Sequence, residues 1–205
     1  MELMGFGRRL DPDTLARMGE GSAWHQRFQD ELQASGVLIA KEASVRDAER
    51  GISGRMDAVV ETSGGPAVVE YKTVSPERFD AILRVGAPPV SFWAQLHVYL
   101  TLTGYLSGRL VVDARESPRR RLVFYAAPEE DWSDWVLERV RLARSWAEER
   151  RLPDREPGAH CLSCDRWERC YRNEDERDRA VSEHPEWEPT PALPVLVPLE
   201  TAQDL

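Results

Sequence analysis

The sequence has very few lysines. Of its 27 basic residues only Lys41 and Lys72 are lysines, and the other 25 are arginines. An ammonium group is a compact donor that can reach a single oxygen and shift its pKa, whereas a guanidinium is a planar fork. A lysine that stands against such a bias indicates a role that an arginine does not fill. Lys72 is therefore a candidate functional residue.

Long apolar runs are also missing. No stretch approaches the roughly 20 residues that a membrane-spanning helix needs. The first residues lack the basic-then-apolar order of a signal peptide, because Arg8 and Arg9 are followed directly by Leu-Asp-Pro-Asp. We therefore expect a cytoplasmic protein with no membrane partner. The 41% of hydrophobic and 31% of charged residues are typical of a folded globular chain.

An excess of positive charge is absent too, since the net charge is −9. Residues 171–205 hold nine acidic residues against Arg172, Arg177 and Arg179, which leaves residues 1–170 with a net charge of only −3. The charge alone does not predict a nucleic-acid partner, and it does not exclude one.

The periodicity of apolar residues predicts helices and strands in alternation. A first helix start lies at Asp11-Pro12, and a second, near Ser22, opens a helix over about 22–34. The later helices are expected at about 76–84, 90–104 and Glu129–Arg151. The strands are expected at Val37–Val45, Ile52–Glu61, Pro66–Val74, Leu106–Asp113 and Arg121–Ala127. This order predicts an α/β fold with a mixed central β-sheet flanked by helices.

Composition divides the chain into three parts. We expect a core at 1–157, a cysteine-containing segment packed on it at 158–173, and a proline-rich acidic tail at 174–205. Two states of the tail are open: a mobile or surface-hugging segment, or one in which the apolar run Leu193–Leu199 docks on the body or on a neighbour. The acidic tail is also where a protein partner would bind, and the oligomeric state is left open.

Three polar residues interrupt two strands that are otherwise apolar. Asp57 lies within Met-Asp-Ala-Val-Val, and Glu70 and Lys72 follow Ala-Val-Val. Residues two apart in a strand project to the same face, so a hairpin would set Asp57 beside Glu70 with an amine one pleat further on. Two carboxylates to hold a divalent cation, and a lysine to orient a water, are what metal-assisted hydrolysis of a phosphodiester requires.

Four short motifs extend this pattern. They are Gly21-Ser-Ala-Trp-His25, Gly54-Arg-Met-Asp57, Glu70-Tyr-Lys72 and Gln95-Leu-His-Val-Tyr99. In this order the chain resembles the PD-(D/E)XK nucleases over about residues 21–172, and within them the RecB-like branch that includes CRISPR-associated and phage exonucleases. The resemblance implies a restriction-endonuclease-like core.

The resemblance also implies a function and a ligand set. It implies a Mg²⁺- or Mn²⁺-dependent DNA nuclease, an exonuclease on single-stranded or frayed ends. Asp57, Glu70 and Lys72 would be catalytic, and the metal ligands would be Asp57, Glu70, His25 and the backbone carbonyl of Tyr71. His97, between two motif positions, would be a bystander on the helix face.

DNA contacts are expected in two places. The resemblance places Gln95 and Tyr99 at the edge of the active site and on DNA, and the run Arg119-Arg120-Arg121 could contact phosphates. An aromatic residue such as Phe92 or Trp93 could stack bases. The alternative function is a non-cleaving DNA-binding or assembly subunit of a recombination or CRISPR adaptation complex.

The only three cysteines lie within ten residues of one another, at Cys161, Cys164 and Cys170. Their clustering favours a metal or cluster site over a disulfide. The resemblance implies a [4Fe–4S] cluster, for which the branch uses a fourth cysteine near the N-terminus, but the first 160 residues contain none. Three alternatives stay open: a cluster with an unusual fourth ligand, a zinc site completed by His160, and reduced structural thiols.

Overall fold

The computed structural model describes residues 12–115, 117–164, 166–184 and 190–196. Five strands form one sheet: β1 (Leu38–Asp47), β2 (Ile52–Val60), β3 (Ala67–Val74), β4 (Gly108–Ala114) and β5 (Ser117–Ala126). The α-helices are α1 (Pro12–Ala34), α2 (Pro76–Val85), α3 (Val90–Thr103), α4 (Glu130–Glu148) and α5 (Glu174–Glu183). Two short 3₁₀ helices span Ala159–Ser163 and Trp167–Arg169.

The strands lie in the sheet in the order in which they occur in the chain. β1, β2 and β3 form an antiparallel meander, β4 pairs parallel with β3, and β5 pairs antiparallel with β4. The parallel pair needs a crossover connection, and α2 and α3 supply it. The prediction of a mixed sheet flanked by helices is confirmed.

Each face of the sheet is covered by apolar side chains, because successive strand residues point to opposite faces. On one face, Phe28 and Leu32 of α1 pack against alternate residues of the strands, namely Ala58, Val60, Ala67, Val69, Tyr71, Val111 and Val123. On the other face, α2 and α3 contribute Phe79, Ile82, Leu96 and Leu100, which pack on strand residues such as Val68, Leu110 and Val112. The central strand β3 is therefore buried on both sides.

The first helix differs from the prediction of two helix starts. α1 runs without a break from Pro12 to Ala34, through Gly19, Gly21 and Ser22. A glycine inside a helix costs about 1 kcal/mol relative to alanine but can adopt helical dihedrals. The second start expected near Ser22 is therefore wrong.

The described chain divides into two compact units. The larger contains 12–141 with 192–196 and so includes the whole sheet. The smaller contains 142–191 and has its own small core, formed by Cys161, Tyr171 and Val181. The predicted boundaries at 157 and 173 stay a prediction.

Residues 192–196 return to the larger unit and pack on it. The indole Nε1 of Trp132 donates a hydrogen bond to the carbonyl of Ala192 at 3.0 Å, and the amide of Leu196 donates to the carbonyl of Gly86 at 2.6 Å. Leu193 and Leu196 pack against the core that includes α2 and α3. Within the described ranges, no helix has both the length and the apolar character to cross a bilayer.

Candidate active site

The site lies where β2 and β3 stop pairing. Their backbone pairing covers Ala58–Val60 with Ala67–Val69, and the next residues along the two strands are Asp57 and Glu70. There the backbone amide of Tyr71 donates to Asp57 Oδ2 at 2.8 Å. A carboxylate thus takes the place of a carbonyl in the ladder, and the two strands bring Asp57 and Glu70 together as predicted.

Glu70 is the most deeply buried acid of the site, with 1% of its side chain exposed. Burial, and after it the nearby carboxylate of Asp57, raise the pKa of Glu70 to about 7 against the lowering effect of the Lys72 ammonium. Lys72 Nζ lies 2.5 Å from Glu70 Oε1 and forms an ion pair with it, but the angles do not meet those of a hydrogen bond. Neither carboxylate oxygen accepts a hydrogen bond of good geometry. Buried oxygens without a hydrogen bond are rare in native proteins and call for a partner.

A chain of hydrogen bonds fixes the Lys72 ammonium. Lys72 Nζ donates to Gln95 Oε1 at 2.9 Å, and Gln95 Nε2 donates to the hydroxyl of Tyr99 at 3.1 Å. The Tyr99 hydroxyl in turn donates to the carbonyl of Arg55 at 2.9 Å. Gln95 and Tyr99 are therefore joined to the lysine, and their expected contact with DNA stays a prediction.

Gly54 of β2 lies directly against the Tyr99 ring of α3. A Cβ at this position would lie 2.7 Å from Tyr99 Cε1, which real Cβ contacts do not reach. The absence of a side chain at Gly54 lets the Tyr99 ring reach Arg55. The glycine of one motif therefore contacts the tyrosine of another, and the sequence alone did not predict this contact.

Helix α1 holds Asp57 through two residues four apart, which lie on the same helix face. His25 Nδ1 is 3.2 Å from Asp57 Oδ1. Gln29, which is 3% exposed, donates from Nε2 to the carbonyl of Asp57 at 3.0 Å and to Glu42 Oε1 at 2.8 Å. Sequence reasoning missed Gln29, although its spacing of four from His25 was a usable signal.

Glu42 adopts a backbone conformation that is uncommon for a residue with a side chain. Its φ of 53° lies in the left-handed region. Besides Gln29, its carboxylate contacts Arg55, whose Nε is 2.5 Å from Oε2. Local strain of this kind persists only where the surroundings fix it, and here the buried Gln29 amide and the Arg55 guanidinium do so.

The donor set fits a hard divalent cation. No group of three or more His, Cys, Asp or Glu side chains within the described residues is arranged to hold a metal ion. Mg²⁺, however, usually keeps several waters and binds only one or two carboxylates. Asp57 and Glu70 provide two carboxylates, and the Glu70 oxygens lack hydrogen bonds. His25 contacts Asp57, so its expected role as a metal ligand, like that of the Tyr71 carbonyl, stays a prediction.

The cysteines belong to the smaller unit. Cys161 is buried, with Sγ at 3.6 Å from the hydroxyl of Tyr171 and at 3.7 Å from His160 Nε2. Burial raises the pKa of the Cys170 thiol, and the neighbouring Cys164 and Cys161 add to the effect. In the part of the chain that is described, these side chains form no group that could hold a metal. The cluster or zinc site stays a prediction.

The arginine run after β4 contacts other parts of the fold. Arg121 binds the buried carboxylate of Asp113 through Nε and Nη2, both at 2.7 Å, and Nη2 is 3.2 Å from Glu31. Arg120 pairs with Asp80 and lies over the ring of Phe79. The side chain of Arg119 lies outside the described residues. The contact of this run with phosphates stays a prediction.

Two other side chains considered at this site differ from expectation. Trp93 is 1% exposed and is therefore closed to a base, which leaves the partly exposed Phe92 as the available ring. His97 is fully buried between Trp93 and Trp132 and is not a bystander on the helix surface.

Comparisons with known proteins concern the family and the fold. The sequence profile of the PD-(D/E)XK nuclease superfamily matches residues 6–171. No curated protein matches the sequence. The structure of LHK-Exo in complex with dAMP is similar over 73% of this chain and 75% of that chain, with 15% identity and a TM-score of 0.56, and shows the same fold.

Two further solved structures are more distant. A second structure of LHK-Exo, an alkaline exonuclease from Laribacter hongkongensis, has 12% identity over 65% of this chain and 73% of that one, with a TM-score of 0.48. SSO0001 has 21% identity over 75% and 68%, with a TM-score of 0.47.

Proposed function

Because the chain belongs to the PD-(D/E)XK nuclease superfamily, we propose that it is a Mg²⁺- or Mn²⁺-dependent DNA exonuclease that acts on single-stranded or frayed ends. The observation that supports this best is the buried Glu70 carboxylate, which lies beside the Asp57 carboxylate and accepts no hydrogen bond of good geometry, even from the nearby Lys72 ammonium. A divalent cation would supply the coordination that these two oxygens lack. The alkaline exonuclease with the same fold supports the choice of an exonuclease.

Each side chain has a part in this proposal. Asp57 and Glu70 would hold the divalent cation, which when bound lowers the pKa of water and polarises the phosphate. Lys72 has three N–H donors. One faces Glu70 and one is donated to Gln95, so the third is left for the attacking water or for a phosphate oxygen. Gln95 and Tyr99 hold the ammonium in that position, and His25 and Gln29 hold Asp57.

The first test is cleavage of DNA labelled at its 5′ or 3′ end, as single and double strands, with Mg²⁺, Mn²⁺ or chelator. We expect metal-dependent shortening by the wild type and its loss in Asp57→Asn, which keeps an acceptor for the Tyr71 amide. Lys72→Ala should lower the rate by about 100-fold or more, because it removes a donor from the reacting centre. Lys41→Ala, the other lysine and an exposed one, is the matched control.

Metal binding is measured separately from cleavage. Mg²⁺ should raise the melting temperature of the wild type and of Lys72→Ala but not that of Asp57→Asn, because a ligand stabilises the state that binds it. Near wild-type cleavage by Lys72→Ala would overturn the assignment of the site. DNA binding without cleavage under every metal condition would instead favour the non-cleaving subunit.

A further inference from the structure

Two cationic side chains share the ring of Phe92. Lys72 Nζ lies 5.6 Å from the ring centroid and Arg78 Cζ lies 5.1 Å from it, both within the range of cation–π contacts. Phe92 is in the first turn of α3 and partly buried against the core, and Arg78 is exposed in the first turn of α2. The ring therefore links the candidate active site to a charged residue outside it.

The Arg78 guanidinium makes no hydrogen bond or ion pair within the described ranges, although the chain has 36 acidic residues against 27 basic ones. Arg50, Arg55 and Arg121 show the usual arrangement, in which the guanidinium contacts a carboxylate. The five N–H donors of Arg78 are thus open to solvent while Phe92 restrains its position. Such a fork matches the oxygens of a phosphate.

We propose that Arg78, held by Phe92, binds a backbone phosphate of the substrate strand next to the phosphate that is cut. This inference rests on the proposed function. Both cations lie near one centroid, so Lys72 Nζ and Arg78 Cζ are no more than about 11 Å apart. In duplex DNA the phosphates of one strand repeat about every 3.4 Å along the helix axis, so a span of at most about 11 Å covers only a few phosphates. A strand with one phosphate at Lys72 therefore brings another within reach of Arg78.

This subsite would offset locally the repulsion between the acidic protein and DNA. A protein with a net charge of −9 repels DNA at long range, so a cation at the site must attract the strand locally. Arg120 and Arg121 are engaged with Asp80 and Asp113, whereas Arg78 pairs with no acid in the part of the chain that the structure describes. The ring also orders the guanidinium before DNA arrives, which lowers the entropy lost on binding.

The test is binding of a 5′-fluorescein single-stranded oligonucleotide, followed by anisotropy between 50 and 300 mM NaCl in an Asp57→Asn background that does not consume the DNA. Arg78→Ala should weaken binding about tenfold and lower the slope of log K against log salt by about 0.7, the value for one phosphate contact on a single strand. Arg84→Ala is the matched control, because Arg84 is an exposed arginine in the last turn of the same helix.

The role of the ring is tested by Phe92→Leu, which keeps an apolar side chain of similar bulk. It should weaken binding as well, and adding Arg78→Ala to it should cost less than in the parent, because the two residues act as a unit. In the cleaving protein, Arg78→Ala should raise KM more than it lowers kcat. This split separates a binding residue from one that only supports the fold.

The outcomes distinguish this inference from the proposed function. If the wild type cleaves DNA and Arg78→Ala binds with the affinity and salt slope of Arg84→Ala, the subsite is wrong and the nuclease stands. If the wild type neither cleaves nor binds DNA, the proposed function fails and the subsite fails with it. Circular dichroism of each variant checks that the comparison is between folded proteins.

Discussion

Glu70 and His97 are buried titratable groups whose pKa values are shifted by the same cause. Burial disfavours the charged form of each, so it raises the pKa of Glu70 to about 7 and lowers the pKa of His97 to about 4. Glu70 has Asp57 and Lys72 beside it and a proposed cation to bind. Within the described residues, neither ring nitrogen of His97 is hydrogen-bonded, and the carboxylate near it is that of Glu129, 3.9 Å from Nε2 and half exposed.

His97 should make the stability of the protein depend on pH in the acid range. Between the unfolded pKa of 6.5 and the folded pKa of about 4, the unfolded chain binds a proton that the folded chain does not. The histidine's contribution is therefore full above pH 6.5 and is lost as the pH falls toward 4. We expect the wild type to lose about 2 kcal/mol more than His97→Phe between pH 7.5 and 5.0, from urea unfolding.

Phenylalanine is chosen for this variant because it keeps a ring between Trp93 and Trp132 without a titratable nitrogen. His184→Asn, which changes an exposed histidine at the end of α5, should follow the wild type at both pH values. Equal losses in the wild type and in His97→Phe would show that His97 does not govern the acid response.

At the scale of elements, the contact between α3 and β2 decides where Lys72 is held. Tyr99 and Gln95 project from α3, one turn apart, and link the ammonium on β3 to the carbonyl of Arg55 on β2. The contact depends on Gly54, which leaves room for the Tyr99 ring. Two strands and one helix are thus locked together at the candidate site.

Gly54→Ala should therefore lower the rate of cleavage, although Gly54 itself carries no reactive group. The new Cβ must displace the Tyr99 ring, which costs about 1–3 kcal/mol of stability as in other overpacked cores, and it breaks the support of Lys72. We expect kcat to fall at least tenfold, because a shift of about 1 Å at a catalytic group is enough for a large loss. Steady-state cleavage and urea unfolding measure the two effects.

The matched control is Gly64→Ala, where the nearest atom to a Cβ is Thr62 Oγ1 at 3.8 Å. The double variant Gly54→Ala with Tyr99→Leu separates packing from support, because the smaller side chain relieves the clash but lacks the hydroxyl. It should recover stability and stay poorly active. Full activity in Gly54→Ala would show that the Tyr99 hydrogen bonds do not position the lysine.

At the scale of the whole molecule, a segment near the end of the chain completes the core of the larger unit. Residues 192–196 are far in sequence from α2 and α4, yet they accept a hydrogen bond from Trp132, donate one to Gly86 and place Leu193 and Leu196 against the core. In this part of the tail, the apolar residues thus serve the body of the protein itself.

Replacing both leucines should lower the global stability. Leu193→Ser with Leu196→Ser exposes apolar surface to water, which we expect to cost about 2 kcal/mol for two partly buried side chains. Val195→Ser lies between them, and 80% of Val195 is exposed, so that variant should unfold like the wild type in urea. A double variant as stable as Val195→Ser would show that the docking is not maintained in solution.

The sequence by itself determined the elements and the chemical groups of the site. Alternation and helical periodicity predicted the strands and most of the helices, because each depends only on neighbours along the chain. Asp57, Glu70 and Lys72 could be proposed as site residues because polar residues that interrupt buried strands are conspicuous, and because residues two apart share a face. The single first helix was missed, since a glycine pair lowers helix propensity without forbidding a helix.

Only the tertiary structure decided how those groups are supported. The hydrogen bond of Gln29 to the Asp57 carbonyl, the fit of Gly54 against Tyr99 and the stacking of His97 on Trp132 join residues 28, 45 and 35 positions apart, and no local pattern records them. Arg121 and Arg78 look alike in the sequence, but one meets the buried Asp113 and the other meets the Phe92 ring. The partner that a side chain finds depends on how the layers pack, and packing is fixed by the whole chain.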